Sequence, residues 1–598
     1  MNKELVTKDD NNVLSYVFPI TMVAIALFAI FFINYAHSAF VKGRNKEFGI
    51  YMSLGITSRE LRKLTNVENI IISGASLIVG MGVGTLFSRL FQMVILSLLE
   101  IKGIDFYLDY HPYLLTSGVF LIIFATVIVA TYIRMRRLDI SGLLREARRS
   151  EGKDYSKRDP ILGSIGLIIM ALSIVFLLII ANDNSLISNP LVLIVYIITA
   201  FLGVYLVLSN GGNLIIHLLK KSRFYYKNML SITELHHKFN QNRKIIFVLS
   251  VLSTMTIFLV ASPFSLLSLT ETIAEMNKNH LEYAEVGMVN KLSEDTIDRI
   301  LSDQEVTNNS TLKFIFLNSR KESNLLKDSK PVVSVDEYNA LTESQLKLAK
   351  GEAINIITDW IPSNHGISPG SKYELSDGNN TYSFMFIDSR KGEWVAAMQS
   401  FPSDSIVVVS DEDYADIAAS ITDKNIAYYH FIDFKNWKTS KDTVASLKAE
   451  LGESELKVVA ITDTYEDLKN GYSVFLFVST VLGVLFIIAG GSVLYFKQFT
   501  ELPAAKVTFQ KLYKIGISNK EMKSIVGKEL LAVFFLPLLF GAFLGFSMIY
   551  MTTFLVGGGD IIKEFLTNAL VVVAIYFMSQ GIFYLITRNK YIQEIVKG

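Results

Sequence analysis

Residues able to do covalent or metal chemistry are few in this chain and badly spaced for it. Cysteine is absent, which excludes disulfides, thiolate metal sites and cysteine nucleophiles together. The eight histidines form no HExxH or HxxxH pattern. The adjacent pair His236–His237 would point about 100° apart on a helix, a poor geometry for chelation. Asp411, Glu412, Asp413 and Asp416 are dense enough to suggest calcium, but they lack the spacing of an EF-hand loop. Ser410 with an acid three residues on reads instead as the capped, acidic start of a helix. No GxxxxGK[ST] phosphate loop occurs; the nearest approach, Gly366-Ile-Ser-Pro-Gly370-Ser-Lys372, has the wrong spacing. No Ser/His/Asp arrangement is readable. The expectation is a non-enzymatic chain with no metal and no cofactor of its own, any ATP being bound by a partner subunit.

A different kind of motif is present twice. Displaced by 461 residues and without a gap, Phe48, Gly55, Ile56, Glu60, Glu68, Gly80 and Gly84 coincide with Phe509, Gly516, Ile517, Glu521, Glu529, Gly541 and Gly545. A repeat at fixed offset speaks to architecture more strongly than a single motif. Thr57-x-x-Glu60 and Ser518-x-x-Glu521 read as capping boxes that start a helix. Gly55 and Gly516 stand just upstream, where a preceding helix ends on a left-handed residue. The predicted element is a short amphipathic helix at the inner membrane face, a tight glycine turn and a long membrane helix, a unit able to receive force from a cytoplasmic partner. Gly80-x-x-x-Gly84 and Gly541-x-x-x-Gly545 permit close approach of membrane helices, and their common register predicts two equivalent helices packing together or on symmetric partners.

Of the 598 residues, 51% are hydrophobic and 19% charged, below the roughly 25% charge of ordinary soluble domains. A span needs about 20 mostly apolar residues. Nine stretches qualify: 14–38, 69–98, 112–133, 160–181, 190–217, 245–269, 473–496, 529–554 and 564–587. The first is too long for a signal peptide and lacks a small-residue cleavage site. Segments 39–68, 134–159, 218–244, 497–528 and 588–598 hold 32 lysines and arginines, whereas the alternating loops 99–111, 182–189 and 555–563 hold only Lys102 and Lys563. The positive-inside rule therefore places the five basic segments in the cytoplasm. Arg89, the one basic residue within an expected span, sits about 30 Å above the inner end of its helix and can snorkel to outer headgroups. With no charged group at mid-membrane, ion-coupled transport is a poor reading, and the inner basic loops are explained by topology without nucleic acid.

The expected fold is an α-helical polytopic membrane protein with a large extracellular α/β or α+β domain. Its parts are an outer tail (1–13), a first three-span unit (14–133), a basic inner linker (134–159), three further spans (160–269), the outer domain (270–472), a second three-span unit (473–587) and an inner C-terminus (588–598). The outer segment holds 34 Asp and Glu against 20 Lys and Arg, a potential that attracts cationic peptides and equally serves solubility. Strand-like runs are Thr311–Leu317, Ser383–Ile387, Ile406–Ser410, Ile426–Phe431 and Leu456–Ile461; helix-like runs are Asp336–Lys350, Asp411–Ser420 and Lys441–Leu451. No ligand residue is identifiable in it.

The run NYAHSAFVKGRNKEFGIYMSLGITSRELRKLTNVENIIISG, with its second copy over 497–587, resembles the FtsX-like permease domain of ABC transporters of the MacB-type superfamily. Within it the chain looks most like the bacitracin and antimicrobial-peptide resistance permeases of Firmicutes. That resemblance implies a mechanical transducer. A separate ABC ATPase, as a dimer, docks at the turns carrying Phe48, Gly55, Thr57, Glu60 and Phe509, Gly516, Ser518, Glu521, and its cycle moves the outer domain. It further implies removal of a peptide antibiotic from a lipid-linked cell-wall precursor, with a membrane sensor histidine kinase as a further partner. The alternative within the superfamily is export or extraction of lipoproteins or lipids; an alternative of a different class is a non-transporting signalling scaffold for a sensor kinase or cell-wall hydrolase. The family has ten spans, so 14–38 stands where its second span stands, which implies a start shortened relative to the family.

Overall fold

The computed structural model describes residues 22–596 apart from 99–108, 137–158, 220–228, 276–278, 287–289, 319–328, 358–368, 392–404, 422–424, 453–457, 557–560 and scattered single positions. The chain divides into a helical unit, Met1–Ser268 with Asn470–Gly598, and a sheet-containing unit, Leu269–Lys469. Most of the expected span 14–38, the tail 1–13, nearly all of the linker 134–159 and Gly366 lie outside the described residues.

In the helical unit the elements are α1 (Asn45–Ser53), α2 (Ser58–Leu98), α3 (Tyr110–Arg136), α4 (Asp159–Ala181), α5 (Pro190–Leu219) and α6 (Met229–Ser268). After the sheet unit come α12 (Ile461–Lys514), which begins within that unit, α13 (Asn519–Val556) and α14 (Ile562–Val596). Eight helices among the described residues are long and apolar enough to cross a membrane. Helices satisfy their own backbone groups, which is what a lipid environment demands. α5 illustrates how local sequence fixes a boundary: Pro190 occupies the first helical position, where its missing N–H costs nothing, and Asn189 Oδ1 accepts the Leu191 N–H at 3.0 Å. α4 and α5 pack through glycine, since a Cβ at Gly166 would lie 2.8 Å from Leu206 Cβ and Val207 N. α6, α12, α13 and α14 enclose a core of Leu249, Val493, Phe509, Val526, Leu530, Phe534 and Tyr591. Polar pairs tie the early helices: Asn34 Nδ2 donates to Thr126 Oγ1 at 2.7 Å, and Thr85 Oγ1 meets Tyr113 OH at 2.8 Å. Ile78, Leu86 and Leu114 are largely exposed, as lipid-facing residues should be.

The sheet unit contains, in chain order, α7 (Thr270–Ala274), β1 (Leu281–Val286), α8 (Glu294–Leu301), β2 (Val306–Asn318), β3 (Ser329–Ser334), α9 (Val335–Thr342), β4 (Glu352–Ile357), β5 (Lys372–Ser376), β6 (Thr381–Lys391), β7 (Ser405–Val409), α10 (Asp411–Ser420), β8 (Ile426–Phe434), α11 (Lys441–Leu451) and β9 (Val459–Ala460). The strand order is β3-β7-β4-β6-β5-β2-β8-β1-β9, and β3 also pairs with β2. Six strands thus close into a ring, from which β8, β1 and β9 extend. Side chains alternate along these strands into two cores. Ile315, Val332, Phe384, Phe386 and Val407 join one, while Phe314, Val333, Ile354, Val408 and Tyr429 join the other. Under α8 and α11, Leu281, Tyr283, Ile432, Val444 and Leu447 form a third.

The mixed α/β character matches expectation, with differences of detail. The helix expected over Asp336–Lys350 stops at Thr342. There Asn339 captures the backbone of Leu346, accepting its N–H at 2.9 Å and donating to its carbonyl at 2.8 Å, a side-chain bond that competes with continuing the helix. Of the strand expected over Leu456–Ile461, Leu456 and Lys457 lie outside the described residues, Val459–Ala460 is strand, and Ile461 opens α12 instead. α10 covers Asp411–Ser420 as expected, with Ser410 Oγ accepting the Asp413 N–H at 3.1 Å. The four acids there are therefore a helix start.

Candidate functional site: the paired glycine turns

Both turns are built from the same hydrogen bonds. In the first, Gly55 has φ +96°, its N–H donates to the Met52 carbonyl at 3.2 Å, and the Ile56 N–H reaches back to the Tyr51 carbonyl at 3.1 Å. In the second, Gly516 has φ +99°, with Gly516 N donating to Tyr513 at 3.0 Å and Ile517 N to Leu512 at 3.2 Å. This pair of bonds is a Schellman closure. The positive φ at its pivot is the conformation that only glycine adopts without steric cost.

The next helix starts at once in each copy. Glu60 Oε2 accepts from Thr57 N and Thr57 Oγ1, both at 2.9 Å, and Glu60 N donates back to Thr57 Oγ1 at 3.3 Å. The second copy repeats the set: Glu521 Oε2 accepts Ser518 N at 3.0 Å and Ser518 Oγ at 2.7 Å, and Glu521 N donates to Ser518 Oγ at 3.3 Å. Both capping boxes are complete, so each turn is fixed on both sides. Phe48 and Phe509 are buried beneath them, Phe48 with Val41 and Leu61, Phe509 with Met522 and Val526. Beside the first turn Ile50 and Leu54 are exposed; beside the second, Val507 and Tyr513.

The two copies also differ. The helix ahead of Gly55 is the separate, nine-residue α1. The one ahead of Gly516 is the end of the 54-residue α12, which runs on through Pro503; no separate short helix precedes the second turn. Arg44 has no basic counterpart in the second copy, where Ala505 stands. Its guanidinium donates at 2.7 Å to both carboxylate oxygens of Glu68 on α2 and lies 5.6 and 5.5 Å from the Phe40 and Phe48 rings. This ties the start of α1 to α2. The sequence signal, one arginine 24 positions before a glutamate, is too common to single out.

The glycine pairs differ most. A Cβ on Gly541 would stand 2.3 Å from Ser253 Cβ and 2.9 Å from the Ser250 carbonyl, and one on Gly545 2.9 Å from Ile257 Cγ2. The second pair thus packs directly on α6, where Thr254 Oγ1 donates to the Gly541 carbonyl at 3.3 Å. At Gly80 and Gly84 nothing among the described residues lies within 4 Å of such a Cβ. The structure brings Gly541 and Gly545 against a helix outside the repeat and leaves Gly80 and Gly84 open, so the two pairs neither meet each other nor occupy equivalent surroundings.

Eight membrane-length helices among the described residues, repeated hairpin turns and a sheet-bearing insertion define a multi-pass membrane protein. Residues 19–140, the segment holding the first turn, match the family model of the FtsX-like permease C-terminal domain, so this chain carries an FtsX-like permease domain. Over nearly its whole length the chain is similar to an uncharacterised ABC transporter permease, YvcS, of Bacillus subtilis (strain 168), 25% identical across 96% of this chain and 90% of the relative. ABC transporter permease protein YxdM of the same organism is 25% identical with the same coverage. Bacitracin export permease protein BceB of Halalkalibacterium halodurans is 20% identical across 95% of this chain and 89% of that protein.

Proposed function

We propose that this chain is the membrane subunit of an ABC transporter that transduces the work of a separate ATPase to its sheet unit, placed outside the cell, in defence against cell-wall-directed peptide antibiotics. One observation carries the reading: two turns 461 residues apart share a left-handed glycine, a Schellman closure and a complete capping box. A loop needs none of this rigidity merely to reverse the chain. A docking element that must pass force into a membrane helix needs all of it, since a compliant turn dissipates displacement. Exposed Ile50 and Leu54 at one turn and Val507 and Tyr513 at the other supply apolar contact for an ATPase, one subunit of a dimer per turn. The excess of basic residues in the segments holding the turns supports their cytoplasmic placement. The antibiotic class rests on similarity to the bacitracin permeases, and a sensor kinase partner on the same resemblance.

The test is protection. A strain lacking this gene and complemented with it should tolerate bacitracin better than the empty strain. The double variant G55V/G516V should lose that tolerance while remaining at normal level in the membrane. Full protection from the double variant, at equal abundance, would remove the turns from the mechanism. Absence of protection by the unaltered chain, with its ATPase co-expressed, would overturn the substrate class.

A further inference from the structure

The chain enters the sheet unit through α7 and leaves it through the first turns of α12, and both ends are held by one short stretch, 437–448. Trp437, 6% exposed, packs on Ala274 and Ile461, with Tyr465 edge-on at 5.3 Å between ring centroids. Its Nε1 donates to Glu275 Oε1 at 3.1 Å. Lys438 pairs with Glu271, Lys441 with Glu466 at 2.5 Å and Lys448 with Asp463 at 2.8 Å. The Ile461 N–H donates to the His280 carbonyl at 2.9 Å, which sets the start of α12 against the approach to β1.

The signs are segregated. All three cations of these pairs stand on the stretch 437–448, Lys438 just ahead of α11 and Lys441 and Lys448 on it, and their four acidic neighbours, Glu271, Glu275, Asp463 and Glu466, stand on the two chain ends. Without the lysines the ends carry like charge and repel; with them, the ends are held to one aromatic wedge. We propose that Trp437, Lys438, Lys441 and Lys448 form a clasp that fixes both chain ends of the sheet unit, and that displacement of α12 enters β8, β1 and β9 through it. The second half of this proposal rests on the transducer reading above.

The clasp is tested by hydrogen exchange on the full-length permease alone, comparing the unaltered chain with K438A/K441A/K448A and, separately, W437A. An exposed ion pair shifts a local opening equilibrium by about two- to fivefold, so the triple variant should speed amide exchange in 461–469 about tenfold and leave β4 and β6 unchanged. K448D should speed it alone, and K448D/D463K should restore it. Unchanged exchange in both the triple variant and W437A overturns the clasp, and so does a rise spread through the whole sheet unit. Protection from bacitracin then separates the two readings. With the clasp open, protection should fall. Protection kept by clasp variants but lost by G55V/G516V overturns the coupling role, whereas protection kept by both sets means that the transducer reading itself has failed.

Discussion

Substituting alanine at Gly541 and at Gly80 should have opposite effects, although the two residues coincide in the repeat. At Gly541 the new Cβ meets Ser253 Cβ at 2.3 Å, the Ser250 carbonyl at 2.9 Å and Thr254 N at 3.1 Å. The last two are backbone atoms of α6 and cannot rotate aside, so α6 and α13 must separate. Moving Ser253 also disturbs its 3.0 Å contact with Tyr576 OH. Overpacking a close interface costs about 1–3 kcal/mol, and the tightness here argues for the upper part of that range. At Gly80 nothing among the described residues lies within 4 Å, so alanine removes only the helix penalty of glycine, worth about 1 kcal/mol. Purified full-length variants in one detergent, heated at one scan rate, should show G541A melting several degrees below the unaltered chain and G80A melting at or above it. Equal loss in both would refute the asymmetric packing, and no loss in G541A would refute the contact with α6.

Three further outcomes are expected. G55A and G516A should each cost about 1–2 kcal/mol from the left-handed backbone alone, because among the described residues no atom lies within 4 Å of either new Cβ; exchange should rise at the turn and not in the distant helices. Burial pushes the Glu282 carboxyl up from 4.5 to about 7, with Asp433 adding to the rise and Asn279 opposing it. Its folded value exceeds its unfolded one, so its contribution to stability is complete below pH 4.5 and lost as pH rises through 7, by about 3 kcal/mol in all. E282Q should flatten the sheet unit's stability across that window, and an unchanged slope would contradict the assignment. R44A should loosen α1 by leaving Glu68 without its bidentate partner, seen as faster exchange over 45–53, and R44K should rescue it only in part.

Much of this was legible in the residues because it depends on local chemistry. The turns follow from glycine at a left-handed position and from a hydroxyl and a carboxylate three residues apart, all of which act within one turn of helix. The spans follow from apolar length. What escaped is what depends on distant partners. The sequence treats Gly80 and Gly541 alike, and only the arrival of Ser253 and Ile257 from α6 separates them. The extent of the helix after Asp336 is set by Asn339 reaching seven residues forward to Leu346. Buried strands β3 (Ser-Lys-Pro-Val-Val-Ser) and β4 (Glu-Ala-Ile-Asn-Ile-Ile) carry short apolar runs without alternation, so periodicity gave no signal for them. The Trp437 clasp joins residues about 160 positions apart, as in Trp437 to Glu275, and no local pattern announces it.

The claim that these turns receive an ATPase is tested most directly by photocrosslinking. A photoreactive side chain placed at Leu54 or at Tyr513, both exposed beside a turn, should capture a polypeptide that binds and hydrolyses ATP, identified by mass spectrometry. The same group at Leu114 or Leu191, exposed on other helices, should not capture it. Capture at both turns, abolished in G55V/G516V, is the predicted result. Equal capture from all four positions, or none at the turns with the ATPase present, would contradict the account.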